Sequence, residues 1–526
     1  MKNRHSLSYL PVVLIIMGIA VRTVGLGFIP EGVNQDEAFA AYEAYCLAHD
    51  GMDSWGYVYP VYFISWGSGM NVLLSYLAIP WVKFLGLDVL SVRIPMLIAS
   101  CLTLPAFYGV MRKLFGEKTG QVALFLLCIN PWHITMSRWG LEANLAPAFL
   151  TFGLYFFLKG EEHPLYLILS AVTYGICLYT YALMWLVVPL TLLFQFIYAL
   201  YRRKIKRSDG RIWLLSAGIL FILALPLILF VLVNTDKVQE IRTSFFSVPH
   251  LKGQRMNEVS VYGIGEKLHN SLYILFHQAD SEIQNGTRQY GLYYYISMVF
   301  IPVGIVICGM GIRKKADSGV LFLTWAAAVP LLALTTVMVQ RINALHIPMI
   351  ALGAVGLVTV CEWMYKLIRR QALPVMMGVY IVLFVCFTGY YFTEYRDQVA
   401  VNFQAGLGDA VQRVNELVQD GTESRTEENV DQYEQKQMIS VCGLFFSRIL
   451  FYDKVSPEEY RSTVVWNEES GFMTPKSFGK WRFDSPSDTS DRIVLTDIPI
   501  SYDAAFRDHI REEYKWSAVM IPPAIE

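Results

Sequence analysis

Long apolar runs dominate the chain, and they constrain its fold more than any other feature of the sequence. Hydrophobic residues make up 54% of the 526 residues and charged residues only 17%, against about 25% charged residues in a soluble domain. A bilayer core about 30 Å thick requires about 20 apolar residues per helix. We therefore predict an all-α polytopic membrane domain of about eleven transmembrane helices, at residues 7–28, 89–111, 120–136, 145–158, 164–181, 183–201, 212–233, 291–312, 319–339, 344–365 and 373–392.

Lysine and arginine residues predict how these spans cross the membrane. The loops after the second, fourth, sixth, eighth and tenth spans are basic. They contain, in chain order, Arg112, Lys113 and Lys118, then Lys159, then the stretches 201–207 and 312–316, and then Lys366, Arg369 and Arg370. Cytoplasmic loops of membrane proteins carry an excess of these residues, so we expect the other loops to lie outside. The formal net charge of -1 gives no indication of nucleic-acid binding.

Two parts of the chain depart from this helical pattern. Residues 70–86 are apolar but short, so we predict that they lie along the membrane surface, within a long first external loop at about 29–88. Beyond residue 394 charges become frequent and apolar runs shorten. We therefore predict a transmembrane domain at 1–394 and a small extracytoplasmic α/β domain at 395–526.

An acidic pair follows the first span, in the stretch "IPEGVNQDEAFAAYEAY" at 29–45. Asn34 and Glu37 have the spacing of a helix-capping box, and acids near a helix N-terminus are favoured by the helix dipole. That structural explanation accounts for the motif by itself. An ionised Asp36 or Glu37 just outside the bilayer is, however, also placed to accept a proton or bind a cation.

Polar residues gather again in the next external loop, "INPWHITMSRWGLEANLAP" at 129–147, which contains His133, Arg138, Glu142 and Asn144. Arg138 and Glu142 are four residues apart and would form an ion pair on a helix. The alternative is a functional site at the membrane surface. The sequence leaves these two interpretations open.

Further cationic and amide side chains flank the predicted outer ends of the spans. Arg22 lies in the outer half of the first span, where it either extends to the interface or binds an acid or a phosphate. Arg341, Asn343 and His346 offer hydrogen-bond donors suited to a phosphate, although a single arginine at a helix end is commonly an interfacial anchor. Arg255 adds a cation in a later external loop.

The sequence gives little sign of a cofactor. It has no nucleotide-binding motif, and its eight cysteines form no C-x-x-C pair. A divalent metal would fit the hard oxygen ligands of Asp36 and Glu142, but no ligand spacing establishes such a site. The sequence "NGT" at 285–287 matches a glycosylation site and equally a turn.

Through these motifs the chain resembles the C-type membrane glycosyltransferases, the group that contains the protein O-mannosyltransferases and the aminoarabinose transferase of lipid A. The likeness covers residues 1 to about 395. It is carried by Asp36-Glu37 after the first span, "SVRIP" opening the second, "PWHITMSRWGLEAN" ending the third and "QRINALHIP" before a late span. The resemblance implies a hexosyl or pentosyl transferase that moves a sugar from a polyprenyl-phosphate donor to an acceptor hydroxyl, with inversion.

The resemblance also implies roles for individual residues. Asp36 would be the catalytic base, with Glu37 beside it and Glu142 as a second acid. Basic side chains near the outer membrane face would bind the donor phosphate: Arg138, Arg341, Arg22 and His346. Other polar side chains would bind the substrates: His133, Asn144, Asn343 and Arg255. The expected partners are the polyprenyl-phosphate sugar, membrane lipids and a glycan, lipid or protein acceptor.

Two other classes of function would use the same features differently. A transporter or flippase for a lipid or solute would carry ionisable groups near the bilayer midplane, whereas the predicted spans are nearly uncharged at their centres. A structural scaffold that presents the C-terminal region would leave the polar loops unexplained. We therefore expect a multi-pass plasma-membrane enzyme whose active site and C-terminal domain are extracytoplasmic.

Overall fold

The computed structural model describes residues 9–253, 261–335, 338–423, 439–442, 446–467, 473–483, 493–496, 506–511 and 516–520. Most of these residues are helical. The first ten α-helices are α1 (Leu10–Thr23), α2 (Gln35–Asp50), α3 (Leu73–Leu85), α4 (Val89–Phe115), α5 (Glu117–Cys128), α6 (Pro131–Met136), α7 (Ala146–Gly160), α8 (Tyr166–Cys177), α9 (Met184–Tyr201) and α10 (Gly210–Val233). The next ten are α11 (Ile264–His277), α12 (Ser297–Arg313), α13 (Ser318–Ala328), α14 (Leu331–Leu334), α15 (Asn343–Ile368), α16 (Ala372–Phe392), α17 (Glu394–Asn402), α18 (Leu407–Glu423), α19 (Phe446–Asp453) and α20 (Pro457–Thr463).

Apolar helices match the predicted membrane spans in position more closely than in length. Each of the eleven predicted segments contains a helix. Within the described part of the chain, five helices are able to cross a membrane by length and apolar composition: α4, α9, α10, α15 with the turn before it, and α16. Helix α12 and the segment Ser318–Leu334 meet at 115° and add a sixth if they form one broken span. The other helices are shorter than the roughly 20 residues of a straight crossing, so the count of eleven stays a prediction.

The five basic loops meet on one side of the helix bundle, which we call the basic side. They follow α4, α7, α9, α12 and α15. Ion pairs link them to one another: Lys113 with Glu162 (2.6 Å), Arg202 with Glu161 (3.4 Å) and with Asp317, and Lys118 with Glu362 (3.0 Å). Such surface pairs add little stability, but they require the five loops to lie together, as the distribution of basic residues predicts.

Helix α2 begins at the acidic pair that follows the first span. The Asn34 side chain accepts a hydrogen bond from the Asp36 N–H (2.9 Å), which is an N-cap contact. Only the Asn34 half of the predicted capping box forms, because the Glu37 side chain turns away and binds Arg93 of α4. The helix ends at Gly51, whose φ of 78° is a left-handed conformation that glycine adopts without strain.

The short apolar segment of the first loop forms α3, a helix of 13 residues. At a rise of 1.5 Å per residue, α3 is about 20 Å long, which is less than the roughly 30 Å of the bilayer core. It packs against α2 and α4, while Phe84 and Leu85 are exposed. This length fits the predicted placement along the membrane surface, which stays a prediction.

The strands form two sheets. Strands β1 (Ile241–Arg242) and β2 (Ser247–Val248) form an antiparallel pair. The remaining strands are β3 (Ile439–Cys442), β4 (Val465–Asn467), β5 (Thr474–Phe478), β6 (Trp481–Arg482), β7 (Ile493–Thr496), β8 (Phe506–Arg511) and β9 (Trp516–Met520). They form a mixed sheet in the order β4-β5-β6-β3-β7-β9-β8, in which β3 is parallel to both of its neighbours. The predicted domain boundary at residue 394 stays a prediction.

The C-terminal region packs directly on the first loop and on the start of α2. Arg448 Nε donates to the carbonyl oxygen of Val33 (2.8 Å), 415 positions earlier in the chain. The indole of Trp55 stacks on that of Trp466, with ring centroids 4.1 Å apart. The N-terminus of α2 is therefore held by residues from the other end of the sequence.

Helices α12 and α15 cross with their backbones in contact. A Cβ atom on Gly304 would overlap the carbonyl oxygen of Leu352, and one on Gly356 would overlap that of Phe300. Small residues at a crossing allow helices to approach this closely in membranes. The crossing fixes the middle of α15, a helix that follows directly on the turn Val339–Ile342.

We predict that Gly304→Ala destabilises the protein, because the added methyl group pushes α12 away from α15. Overpacking of this kind costs about 1–3 kcal/mol, which should lower the thermal unfolding temperature of the detergent-solubilised protein. Gly378→Ala in α16 is the control, because a Cβ at that position meets no atom within 4 Å. Equal unfolding temperatures for the two variants would contradict the backbone contact.

Two carboxyl groups are fully buried where α2 ends and the first loop continues. Glu43 accepts hydrogen bonds from the Ser54 N–H (2.9 Å) and the Ser54 hydroxyl. Asp53 Oδ1 accepts the N–H groups of Trp55 (3.0 Å) and Tyr57 (2.8 Å). Burial raises the pKa of Glu43 to about 8 and the pKa of Asp53 to about 7, and the charge of Asp53 further raises that of Glu43. Near neutral pH this pair therefore retains a proton.

The buried pair makes stability depend on pH. Both groups hold protons more tightly in the folded protein than in the unfolded chain, where their pKa values are about 4, so folding stability falls as pH rises from about 4 to about 8. Asp53→Asn removes one carboxyl and keeps the oxygen that accepts the Trp55 and Tyr57 N–H groups. The unfolding temperature of the variant relative to the wild type should therefore rise between about pH 5 and about pH 8. Asp397→Asn, on the exposed side of α17, is the control, and a pH-independent difference for Asp53→Asn would refute the linkage.

Candidate functional site

A cavity of about 580 Å³ lies at the end of the bundle opposite the basic side. Helices α9 and α10 connect the two ends. Arg202 follows α9 on the basic side, whereas Trp185 near the start of α9 lines the cavity. The chain returns through α10, in which Phe230 lines the cavity.

Two carboxylates and a guanidinium from distant parts of the sequence line this cavity: Asp36, Glu142 and Arg341. Asp36 lies in the first turn of α2. Glu142 begins the 3-10 turn Glu142–Leu145 and is 8% exposed. Arg341 belongs to a second 3-10 turn, Val339–Ile342, which we call the 339–342 turn. These three residues are predicted site residues, and the structure brings them to one cavity.

The position of Asp36 depends on residues before and beyond α2. Asn34 caps the Asp36 N–H, and Arg448 binds the carbonyl oxygen of Val33 just before them. Burial lowers the pKa of Arg448 to about 10, while nearby anionic groups, Asp36 and Glu37 among them, raise it. Arg448 is thus a cation close to the acidic pair. Sequence reasoning missed it, because it lies in the C-terminal region and belongs to no motif.

The turns that carry Glu142 and Arg341 are bonded to each other. Asn343 Nδ2 donates to the carbonyl oxygen of Ala143 (3.2 Å) and to Asn144 Oδ1 (2.9 Å). Both asparagines are buried. They were expected to bind substrate, but these contacts show that they fix the two turns relative to each other.

Glu37 does not line the cavity. Its carboxylate is fully buried and accepts two hydrogen bonds from Arg93, at 2.8 and 3.0 Å, and one from the Gly140 N–H, at 2.7 Å. A carboxylate with both oxygens occupied in this way is not exposed to an incoming substrate. We therefore replace its expected catalytic role with a structural one: it joins α2 to α4 and to the loop after α6.

Arg138 is also engaged away from the cavity. Its guanidinium donates to the carbonyl oxygens of Val21 (3.1 Å), Arg22 (3.0 Å), Val24 (2.7 Å) and Ile29 (3.2 Å). The first three lie at the C-terminus of α1, where carbonyl groups have no partner within the helix and where the helix dipole favours a cation. Arg138 therefore caps α1, in place of the expected contact with the donor phosphate.

Arg22 caps the C-terminus of α5 as Arg138 caps that of α1. It donates to the carbonyl oxygens of Leu127 (2.9 Å) and Cys128 (3.0 Å), at the C-terminus of α5, and to that of Gly18 (2.8 Å). The Nδ1 atom of His133 lies 2.8 Å from the guanidinium. Both Arg22 and His133 are buried, so the expected phosphate and substrate contacts are replaced by structural ones.

His346 does not line the cavity either. His346 is buried, binds the Tyr293 hydroxyl through Nδ1, and lies 3.2 Å from the Val339 carbonyl oxygen through Nε2. It supports the 339–342 turn from behind, where the expectation was a phosphate contact. Arg255 lies outside the described residues.

Aromatic side chains complete the cavity wall. Tyr62 and Trp66 come from the first loop, and Trp185 and Phe230 come from α9 and α10. The rings of Tyr62 and Phe230 are 4.4 Å apart. Thr474 of β5 also reaches the cavity, so the C-terminal sheet contributes to its wall. The sequence shows a dense aromatic stretch in the first loop, but it gives no signal for Thr474.

The cavity residues include donors for a hard cation. Asp36 and Glu142 place two carboxylates on one cavity, and a divalent ion would complete its coordination with water or phosphate oxygens. Within the described ranges, three other residues with metal-ligating side chains lie together on the surface: His49, Asp50 and Glu458. Arg461 binds Asp50 in that group.

Of the two interpretations of "NGT" at 285–287, a glycosylation site and a turn, the folded chain favours the turn. Asn285 is buried, and its amide donates to Asp280 (2.8 Å) and to Gln340 (2.6 Å). A side chain held in this way is not accessible to a modifying enzyme. The "NGT" sequence therefore marks a turn.

Part of the chain matches a protein-family model. Residues 72–230 match the family model of the dolichyl-phosphate-mannose-protein mannosyltransferases. This segment contains Glu142 and ends at Phe230, so it supplies a large part of the cavity wall. No curated protein matches the chain.

Solved structures match over most of the chain. ArnT from Cupriavidus metallidurans bound to undecaprenyl phosphate aligns with a TM-score of 0.54 and 14% identity over 84% of each chain. The same protein in the apo state gives 0.51 and 13% over 84% of each chain. The Archaeoglobus fulgidus oligosaccharyltransferase in the apo form gives 0.50 and 13%, over 84% of this chain and 63% of that chain.

At these identities the structural likeness shows a common fold. The family match within residues 72–230 is independent of it and points to the same group of proteins. The resemblance drawn from the sequence motifs is therefore confirmed. The chain is a multi-pass membrane protein with the fold of the C-type membrane glycosyltransferases, and its segment 72–230 matches the dolichyl-phosphate-mannose-protein mannosyltransferases.

Proposed function

We propose that this protein is a hexosyl or pentosyl transferase that moves a sugar from a polyprenyl-phosphate donor to an acceptor hydroxyl, with inversion at the anomeric carbon. The observation that supports this is the joint lining of one cavity by Asp36, Glu142 and Arg341. A glycosyl phosphate already carries a leaving group. The reaction therefore needs a base for the acceptor and a cation for the departing phosphate, and the cavity contains both.

Asp36 is the base in this mechanism. The acceptor hydroxyl gives its proton to the Asp36 carboxylate while its oxygen bonds to the anomeric carbon from the face opposite the phosphate. The bond between that carbon and the phosphate oxygen breaks, and its electron pair leaves with the phosphate. Arg341 binds the phosphate oxygens with its planar set of donors, and Glu142 orients the acceptor by accepting hydrogen bonds from its hydroxyl groups.

A divalent ion would fit beside these groups. Asp36 and Glu142 would hold it, since both line the cavity. A bound ion would stabilise negative charge on the departing phosphate. Proton acceptance by Asp36 and phosphate binding by Arg341 are functions of the chain itself.

The apolar wall of the cavity suits the lipid part of the donor. Tyr62, Trp185 and Phe230 form this wall, with the Tyr62 ring 5.8 Å from that of Trp185. Helix α10 continues from it with exposed apolar residues that include Phe221 and Ile222. A polyprenyl chain lying along α10 would bring its phosphate to the same cavity as Arg341.

The basic loops support an extracytoplasmic site. If the basic side faces the cytoplasm, as such loops generally do, the cavity at the opposite end faces outward. In this proposal the chain crosses the plasma membrane eleven times, and residues 395–526 form an extracytoplasmic α/β domain over the first loop. The acceptor is then an envelope glycan, a lipid or a protein.

A transporter would need ionisable groups along a path through the bilayer. The arginines buried in the bundle, such as Arg22 and Arg138, instead donate to backbone carbonyl groups. The ionisable cavity residues Asp36, Glu142 and Arg341 lie at one end of the bundle. This distribution favours chemistry at a membrane surface over transport.

We predict that Asp36→Asn lowers kcat about 10²- to 10⁴-fold, the range expected on removal of a general base. The donor KM should change little, because the phosphate contacts remain. The assay follows a radiolabelled polyprenyl-phosphate sugar incubated with purified protein in detergent and a membrane extract that supplies acceptors. Asp397→Asn, far from the cavity lining, should behave as the wild type, and normal turnover by Asp36→Asn would remove Asp36 from the mechanism.

We predict that Arg341→Gln raises the donor KM about tenfold or more, because a charge-assisted hydrogen bond contributes about 1.5–3 kcal/mol. Arg341→Lys should be intermediate, since it keeps the charge and loses the planar pair of donors. Arg396→Gln in α17 is the control, because Arg396 binds the neighbouring Asp397 on the surface. An unchanged donor KM for Arg341→Gln would show that the phosphate binds elsewhere.

A further inference from the structure

The 339–342 turn is held at its start by a carboxylate from another part of the chain. Asp280 Oδ2 accepts the Val339 N–H at 2.8 Å. The same oxygen accepts Asn285 Nδ2 at 2.8 Å, and Asn285 Nδ2 also donates to Gln340 Oε1 at 2.6 Å. Asp280 thus contacts this turn directly through Val339 and indirectly through Gln340. Both Gln340 and Arg341 line the reaction cavity.

A short turn of this kind needs an external acceptor. The first N–H groups of a helical turn have no partner within it, and Met338, which precedes this turn, provides no side-chain cap. A carboxylate is the most effective acceptor at such a position, because it also faces the positive end of the turn's dipoles. Asp280 therefore acts as an N-cap supplied from outside the turn.

The rest of the turn is anchored on its other side. Asn343 is bonded to the turn that carries Glu142, and His346 Nε2 lies 3.2 Å from the Val339 carbonyl oxygen. With Asp280 on the N–H of Val339, both backbone polar groups of that residue have partners. Arg341, two residues later, projects from a backbone segment that is fixed at both ends.

Asp280 is also in reach of solvent. It lines a second cavity of about 830 Å³ formed with α11. Burial raises the pKa of Asp280, the hydrogen bonds from Val339, Asn285 and the Glu282 N–H lower it, and the charge of Glu282 raises it again. Further charged or titratable groups of that cavity surround it: Glu266, Lys267, His277 and Arg288.

We propose that Asp280 is a positioning residue for Arg341: its ionised carboxylate holds the 339–342 turn so that the guanidinium meets the donor phosphate. This inference rests on the proposed function. Both Asp280 oxygens accept N–H groups, Oδ2 from Val339 and Asn285 and Oδ1 from Glu282, so a proton on either oxygen displaces a hydrogen bond and removes the negative charge that strengthens the others. The turn then loosens, and donor binding weakens as the pH falls.

The test compares Asp280→Asn with Glu282→Gln in the full-length protein. In Asp280→Asn one neutral oxygen replaces a charged carboxylate that accepts three N–H groups, from Val339, Asn285 and Glu282, so its donor KM should rise about tenfold with kcat nearly unchanged. In the wild type, protonation of Asp280 should lower kcat/KM at acidic pH. This decrease should be absent from the pH profile of Asp280→Asn. Glu282→Gln is the matched control, because the Glu282 side chain binds Gln284 (2.8 Å) and not the turn; it should keep the wild-type donor KM.

A double-mutant cycle separates positioning from a general loss of structure. If Asp280 acts through Arg341, Asp280→Asn should add little to the donor KM of Arg341→Gln, so the two effects on KM are strongly non-additive. Additive effects would overturn the proposal. A lowered unfolding temperature together with a parallel loss of kcat and of donor binding in Asp280→Asn would do so too, because it would show a purely structural role.

The same measurements distinguish this inference from the proposed function. Absence of sugar transfer by the wild-type protein would count against the proposed function before Asp280 is considered. Transfer by the wild type combined with an unchanged donor KM and an unchanged pH profile in Asp280→Asn would refute the positioning role alone. Asp280→Glu provides the rescue: a carboxylate that again accepts the Val339 N–H should restore donor binding at least in part.

Discussion

The buried ion pair between Glu37 and Arg93 is the contact on which the rest of the site depends. Two charges are tolerated inside a protein when they pair with good geometry and further hydrogen bonds occupy the remaining positions. Arg93 meets this condition, because it also donates to the carbonyl oxygens of Pro30 and Gly32 just before α2. Gly140 completes the arrangement from the third side, at a position where a side chain would collide with Val92 and crowd Glu37. Glu37 is thus buried, whereas the neighbouring acid, Asp36, lines the cavity.

Other arginines buried in the helix bundle also donate to backbone carbonyl oxygens. Hydrocarbon offers no partner for the carbonyl groups at a helix end, so a protein that ends helices inside the membrane must supply donors for them. Arg138 does so for α1 and Arg22 for α5. These cations therefore allow the chain to stop a helix, turn and begin α2 or α6 at the end of the bundle where the polar cavity forms. Arg341 differs from them, because it lies on a short turn at the cavity wall.

The sequence predicted those features that depend on a pattern along the chain, such as the length of an apolar run or the position of basic residues. Apolar length placed a helix in every predicted span, and basic residues grouped the five loops that meet on the basic side. It also predicted Asp36, Glu142 and Arg341 as site residues, and these three line one cavity. It could not tell Asp36 from Glu37, or Arg341 from Arg138, because the difference depends on which neighbouring carbonyl groups or cations lie close in three dimensions. Arg448, Thr474 and Asp280 carried no motif at all, since each acts through contacts with residues far away in the chain.

Contacts between distant residues also bear on how the protein is made. The Val33 N–H donates to the carbonyl oxygen of Phe403 at 2.9 Å, and Arg448 binds the Val33 carbonyl oxygen. Multidomain chains generally fold from the N-terminus as they leave the ribosome, so α2 enters the nascent bundle long before either partner has been synthesised. The backbone next to Asp36 acquires its final supports only when translation is nearly complete. If the proposed function holds, a half-made chain already inserted in the bilayer would therefore be unable to consume lipid-linked sugar.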